Sequence, residues 1–248
     1  MATYGPLITI DELQTNYLTG VKMVNNQGQP WPTALYQNAL DSAQSGFEIE
    51  THLFATPTVI TNESHDYYAQ EYAHFCYIKL FNYPVISVQN LTAVYPTGQT
   101  ILMFPSSWIK IMPNSGQLMI VPTAGTMSQV LLGQGGSYLP LMGAGLSYLP
   151  GLFQVSYTAG FPLNQVPAVV NQIIGMKAAI SLMGMASSNI LEAGIGTKTI
   201  SIDGLSQSVG IASGIYGPYS PLVRTYMEMI QENTKNIIAK YQGINFVA

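Results

Sequence analysis

The stretch Val85-Ile86-Ser87-Val88-Gln89-Asn90-Leu91-Thr92-Ala93-Val94-Tyr95-Pro96-Thr97-Gly98-Gln99 decides the fold class, because it reads as a strand that ends in a tight turn. β-branched residues favour strands, and Pro followed two residues later by Gly suits a turn. The same style continues through residues 101–104, 108–112 and 118–121. We expect an antiparallel meander here, closed by a strand at 153–157. Upstream, 58–61 and 71–80 are also predicted as strands.

Helical periodicity flanks this β region on both sides. A first helix follows Pro32, with Thr33 as its predicted cap and apolar residues at helical spacing from Leu35 to Phe47. A second helix is predicted after Pro162, with Pro167 in its first turn. The last helix starts at Ser220 as cap and carries a wide apolar face. Members of the predicted apolar faces are Leu35, Ala39, Leu40, Ala43, Phe47, Val169, Val170, Ile173, Ile174, Ile180, Met183, Leu222, Val223, Tyr226, Met227, Ile230, Ile237, Ile238 and Tyr241.

This order predicts an α+β fold: a small helical core with an inserted antiparallel β domain and long Gly/Ser-rich loops. The core comprises residues 1–57 and 158–248, and the insertion comprises residues 58–157. A Gly-rich loop at 123–151 lies within the insertion. A second loop at 187–217 is rich in Gly and Ser and has a β-like patch at its centre.

Charged side chains are scarce, at 8% of 248 residues, and the net charge is −4. Between Leu80 and Met176 only Lys110 carries a charge. A soluble domain is ordinarily about a quarter charged. A surface this neutral predicts permanent contact with other protein, as in an assembly subunit. The eight Lys and Arg residues are scattered singly, which excludes a row of phosphate contacts and hence tight nucleic-acid binding.

Neither a signal peptide nor a membrane span is expected. The first ten residues lack a basic start, and Lys177 interrupts the apolar stretch 166–186. The single cysteine, Cys76, excludes an internal disulfide and fits synthesis in a reducing cytoplasm.

The sequence offers no convincing catalytic or metal site, so we predict a protein that is not an enzyme and has no cofactor. Nucleophile-elbow and phosphate-loop motifs are absent from the sequence. A metal or hydrolase site using His65, His74 and Cys76 is one alternative; a core cysteine beside a half-buried histidine explains the same residues. In the Gly-rich loop, Tyr138-Leu139 and Tyr148-Leu149 are candidates for a partner-facing surface. A carbohydrate- or receptor-binding virion module, based on these tyrosines, is a second alternative.

Two segments carry a resemblance to a known family. Tyr83-Pro84-Val85-Ile86-Ser87-Val88 heads the β region, and Ser201-Ile202-Asp203-Gly204-Leu205-Ser206-Gln207-Ser208 precedes the last helix with Arg224 and Tyr226. Together they resemble the head–tail connector (adaptor, or neck) proteins of tailed bacteriophages. The resemblance covers roughly residues 35–243 and leaves out the loop 123–151.

The resemblance implies a structural virion protein at the capsid–tail junction, synthesised in the host cytoplasm. Such a protein forms a ring, commonly dodecameric, beneath the portal; the ring extends the DNA channel and gives the tail its docking surface. The implied partners are copies of itself, the portal and tail or neck proteins, with DNA passing through unbound. We place the subunit interface at Ile202, Asp203, Gly204, Leu205, Arg224 and Tyr226. The resemblance puts the portal contact at Ile244, Asn245 and Phe246.

Overall fold

The computed structural model describes residues 4–25, 27–73, 77–95, 97–121, 147–191, 197–202, 205–210 and 216–241. Within these ranges the helices are α1 Ile10–Tyr17, α2 Thr33–Thr51, α3 Ala69–Ala73, α4 Ala168–Leu191 and α5 Ser220–Tyr241. The strands are β1 Tyr4–Gly5, β2 Thr58–Tyr68, β3 Ile78–Lys79, β4 Val85–Val94, β5 Thr100–Met103, β6 Ile109–Met112, β7 Gln117–Ile120, β8 Tyr148–Ala159, β9 Val166–Pro167, β10 Thr197–Ile202 and β11 Leu205–Gly210.

Helices and antiparallel sheets occur together, which confirms the predicted α+β class. Backbone contacts divide the chain into two compact units. Unit 1 comprises Met1–Thr51 and Val166–Ile238; unit 2 comprises His52–Gln165 and Ala239–Ala248.

Unit 1 is built around α4, which packs against α1 and α2. Val170, Ile173 and Leu182 of α4 are buried, as is Phe47 of α2, so the apolar spacing of both helices serves one core. Gly175 permits the close approach of α1, because a Cβ there would lie 2.6 Å from the ring of Tyr17. An ion pair between Glu50 and Lys177 links α2 to α4.

Unit 2 contains a four-stranded antiparallel sheet in the order β2-β8-β4-β5. β8 lies at its centre, and Phe153, Val155 and Tyr157 point into the core. A three-stranded sheet in the order β3-β7-β6 completes the unit. β4 and β5 are neighbours joined by a short connection, as are β6 and β7, in agreement with the predicted turns. The four-stranded sheet is nevertheless not a simple meander, because β8, from the end of the insertion, lies between β2 and β4.

The predicted strand at 71–80 is wrong. β2 runs on to Tyr68 and the chain then forms α3; of the described residues in 71–80, which leave out 74–76, Ile78–Lys79 alone is strand. β2 exceeds the predicted 58–61 because its second half pairs with β8 across a register shift. That pairing joins residues at least 80 positions apart in sequence and overrides the weak local alternation.

Two details at element ends also differ from expectation. Tyr148-Leu149-Pro150, predicted as loop, forms the start of β8 and pairs only with β2, so Pro150 removes no ladder bond on the β4 side. Ser220 has helical backbone angles and its hydroxyl donates to the carbonyl of Gly217 at 2.8 Å, so it does not cap α5. A short 3-10 turn, Gly217–Tyr219, leads into the helix instead.

α4 has the length and composition that a membrane span requires. The segment Ala168–Ser187 has a mean hydropathy of 1.4, and half of it is buried inside the structure. Val169, predicted on its apolar face, is exposed, whereas Ala178 and Ala179 are buried.

Candidate functional site

The last helix, α5, has an apolar surface that its own unit covers only in part. Val223, Thr234 and Ile237 are buried, but Met227, which was predicted on the apolar face, is exposed by 46%, and Met229 is exposed by 37%. Residues at i, i+4, i+7 and i+11 share one side of a helix. One such flank of the buried face carries no charge, and we name it the uncharged flank: Leu222, Tyr226, Met229 and Asn233.

The opposite flank of α5 holds the charges as far as Lys235. Arg224, Glu228, Glu232 and Lys235 are all exposed and lie three or four residues apart on that side of the helix. Lys240, in the last turn, is also exposed and falls in line with Leu222. Arg224 Nε lies 3.2 Å from Glu228 Oε1, an i,i+4 pair on the surface. Within the described residues, the acidic partner of Arg224 is thus a glutamate on the same helix.

Tyr226 ties the uncharged flank to α1. Its hydroxyl donates to the backbone carbonyl of Tyr17 at 3.1 Å, and the two rings meet edge to face at 6.3 Å. Burial raises the pKa of Tyr226, so the hydroxyl stays protonated and acts as a donor. Tyr226 as a whole is half-buried.

The β-like patch before α5 is one strand of a hairpin. Ile202 of β10 pairs with Leu205 of β11, so two residues connect the strands. Those two, Asp203 and Gly204, lie outside the described residues. Their assignment to a subunit interface stays a prediction.

Tyr148 is fixed by an acidic neighbour. Its hydroxyl donates to Asp66 Oδ2 at 2.9 Å, and the N–H of Gly151 donates to Asp66 Oδ1 at 2.8 Å. The Tyr148 ring lies 5.1 Å from the ring of Tyr68. Both rings remain exposed at the edge of unit 2, and Leu149 beside them is half-buried. The remaining predicted contact residues, Tyr138, Leu139, Ile244, Asn245 and Phe246, lie outside the described ranges.

A buried carboxylate that the sequence analysis did not single out organises the same edge. Glu63 is 8% exposed and points inward from β2. Tyr157 donates to its Oε2 at 2.7 Å, the N–H of Phe81 donates to its Oε1 at 3.1 Å, and His65 Nε2 lies 2.7 Å from Oε1. Asn82 adds a longer bond of 3.4 Å. Burial alone would raise the pKa of Glu63, but these hydrogen bonds outweigh it and hold the pKa below its usual range.

An open cavity of about 270 Å³ lies beside this network. We call it the aromatic-walled cavity, because rings supply much of its wall and charged groups the rest. The residues that matter here are Tyr68, Tyr77, Phe81, Asp66, Glu71 and Lys79.

His65 has a structural environment. It is buried, paired with Glu63 and packed 4.8 Å from the ring of Phe81. Among the residues that the structure describes, no three His, Cys, Asp or Glu side chains come together as ligands of a metal ion. His74 and Cys76 lie outside those residues.

Comparisons with known proteins do not assign this chain to a family. No protein-family model matches the chain. No curated protein matches it either. A solved chain from the virion of a native gene transfer agent (GTA) particle is 13% identical, with a TM-score of 0.47, covering 100% of this chain and 95% of that one. A resemblance of this degree assigns neither a family nor a function.

Sequence reasoning missed Glu63, Phe81 and Tyr157 because the contact that joins them depends on the register of β2 with β8. One signal was present: within residues 52–165 the charged side chains are only Glu63, Asp66, Glu71, Lys79 and Lys110. Four of these five fall within 17 positions of one another.

Proposed function

We propose that this chain is a structural virion protein, a head-to-tail connector adaptor that forms a ring beneath the portal. The ring extends the DNA channel and offers the tail a docking surface. It acts without catalysis or cofactor, at the capsid–tail junction. The observation that carries the proposal is the uncharged flank of α5, which lies half-exposed next to the face of the same helix that holds the buried Val223, Thr234 and Ile237.

A ring subunit needs two different contact surfaces, because each copy touches one neighbour on either side. The uncharged flank fits one of them. Tyr and Met are common at the centres of protein interfaces, and charged residues are depleted there. Within Leu222–Asn233 the charged side chains all lie on the other flank, so a neighbour could cover this one without burying an unpaired ion.

The scarcity of charge elsewhere supports the same role. With Lys110 alone charged between Leu80 and Met176, unit 2 has little positive potential for holding phosphates. A channel through which DNA must pass benefits from that neutrality. We assign the hairpin ends Ile202 to Leu205 and Arg224 to the subunit contact, residues 244–246 to the portal, and Tyr138, Leu139, Tyr148 and Leu149 to the tail side.

Mass measurement of the purified protein, alone and with the portal protein, tests the proposal. We expect a closed ring of uniform stoichiometry, visible by negative-stain electron microscopy, and a larger complex when portal is added. A protein that stays monomeric at high concentration and never binds portal contradicts it.

A further inference from the structure

One wall of the aromatic-walled cavity is an exposed ring that a buried carboxylate holds in place. Phe81 is 60% exposed, yet its N–H is bonded to Glu63 and its ring packs on His65. His65 is bound to the same Glu63 oxygen. Because the backbone of Phe81 and the His65 ring behind it are both fixed in advance, the side chain of Phe81 loses little conformational freedom when a ligand binds. The wall is therefore preorganised for a ligand that stacks.

Two further rings, Tyr68 and Tyr77, line the same cavity. Tyr68 packs against Tyr148, which Asp66 holds, so this side of the cavity is also fixed. Aromatic faces carry partial negative charge and attract cations within about 6 Å of the ring. Three rings around one open space thus favour a ligand that is both flat and positively charged.

The charges of the cavity point the same way. All three carboxylates of residues 52–165 gather here: Asp66 and Glu71 line the space, and Glu63 lies behind its wall. Both Asp66 oxygens are already bonded. Partial burial raises the pKa of Glu71, and among the described groups none lowers it, although Lys79 also lines the cavity. A cationic ligand in the cavity could pair with this carboxylate.

We propose that the aromatic-walled cavity binds the arginine side chain of a partner protein, with its guanidinium stacked on Phe81 and paired with Glu71. A guanidinium is planar, stacks on aromatic faces and matches a carboxylate with two parallel N–H donors. The cavity volume suits one long side chain. That the partner belongs to the same particle rests on the proposed function; the preference for arginine does not.

A titration with a pair of isosteres tests the inference on the full-length protein. The probes are Nα-acetyl-arginine amide and its neutral isostere Nα-acetyl-citrulline amide, followed by ¹H–¹⁵N NMR at the amides of Asp66, Glu71, Tyr77 and Phe81. We expect saturable shifts with the arginine probe at these amides and at least about tenfold weaker binding of the citrulline probe. Affinity for arginine should fall as NaCl rises, because the site is open to solvent.

Two variants and a control make the result specific. Glu71→Gln keeps the shape of an exposed side chain, and we expect it to weaken arginine binding about tenfold. Phe81→Leu removes the stacking face and should weaken binding of both probes. Glu232→Gln removes an equivalent charge from an exposed position on α5, away from the cavity-lining residues in sequence, and should leave the affinity for both probes unchanged. Equal binding of the two probes, unaltered binding by Glu71→Gln, or tighter binding of methyl α-glucoside than of arginine overturns the inference; the last result would mean a sugar site.

The proposed arginine site and the proposed ring can be contradicted independently of each other. Particle mass, measured on the same samples, reports the ring. Arginine binding by a protein that remains monomeric would support the cavity's role and contradict the connector. A ring that binds neither probe would do the reverse.

Discussion

Gly160 occupies backbone that a side chain cannot share. Its φ of +119° lies in the region that favours glycine, and a Cβ there would come within 2.7 Å of the carbonyl carbon of Thr56. We expect Gly160→Ala to lower the free energy of unfolding by about 2–4 kcal/mol, through backbone strain and overlap. Urea denaturation followed by circular dichroism measures this.

Gly46 provides the matched control for Gly160. It lies inside α2, and a Cβ there would meet nothing within 4 Å. Gly46→Ala should therefore raise the free energy of unfolding by about 0.5–1 kcal/mol, because alanine restricts the unfolded chain. Equal effects at the two positions would contradict this account of Gly160.

The hydrogen bonds on Glu63 make stability depend on pH. Its folded-state pKa is lowered from the ordinary value of 4.5, so the ionised form stabilises the fold above that pH, and the contribution disappears as pH falls through the lowered folded-state pKa. We expect wild type to exceed Glu63→Gln in stability at neutral pH, with the difference shrinking under acid conditions.

Denaturant unfolding of both proteins between about pH 3 and pH 7 checks the Glu63 prediction. Glu232→Gln, at an exposed position on α5, serves as the control and should follow wild type throughout. A difference between wild type and Glu63→Gln that does not vary with pH would mean that the carboxylate contributes through shape alone.

At the scale of elements, α5 has buried residues that pack within the chain and an uncharged flank that is half-exposed in the single chain. Met229→Glu places a charge on the uncharged flank at a side chain that is already exposed in the single chain. We expect the melting temperature of the unassembled protein to stay within the range of a surface change, about 0.5 kcal/mol. Assembly should be lost, because the interface would bury an unpaired carboxylate.

Gln231→Glu is the matched control for the uncharged flank, since Gln231 is exposed on the side of α5 away from Leu222 and Met229. Sedimentation velocity distinguishes ring from subunit for both variants. If Met229→Glu assembles as wild type does, the subunit contact lies elsewhere.

Sequence patterns predicted the long helices well and the strands near β2 poorly. Phe47 and Ile173 fall on strong helical stripes, and local spacing fixed them. β2 has no such stripe, because Asn62 takes a left-handed conformation and Glu63 and Asp66 interrupt its apolar residues. Its length follows from pairing with β8, which local preference does not encode.

The interacting residues divide in the same way. The place of Tyr226 on α5 could be predicted because the helix is periodic, whereas Tyr148 was predicted in a loop and lies in β8. The role of both residues at an interface stays a prediction. The place of Phe81 could not be predicted, since its position depends on a bond to Glu63, 18 residues earlier in the chain. Contacts made across strands need the register, and the register is set by the folded sheet.

For the whole molecule, the scarcity of charge predicts that salt would barely affect the proposed ring. Net charge is −4 over 248 residues, and the uncharged flank has no ion pair to screen. We expect the mass of the assembled protein to stay constant from about 50 mM to about 1 M NaCl, and sulfate to strengthen it. Mass photometry across this series is the measurement, and rings that dissociate at high NaCl would point to an ionic contact.

The inward-pointing Glu63 has one more consequence, for fibril formation. β2 is the outer strand of its sheet, and an open outer strand can template the addition of another chain. Asn62 and the register shift beside it bend this strand, and an incoming strand would have to match that bend next to a buried ion. We expect this bend to hinder crowded copies of the protein from pairing edge to edge through β2.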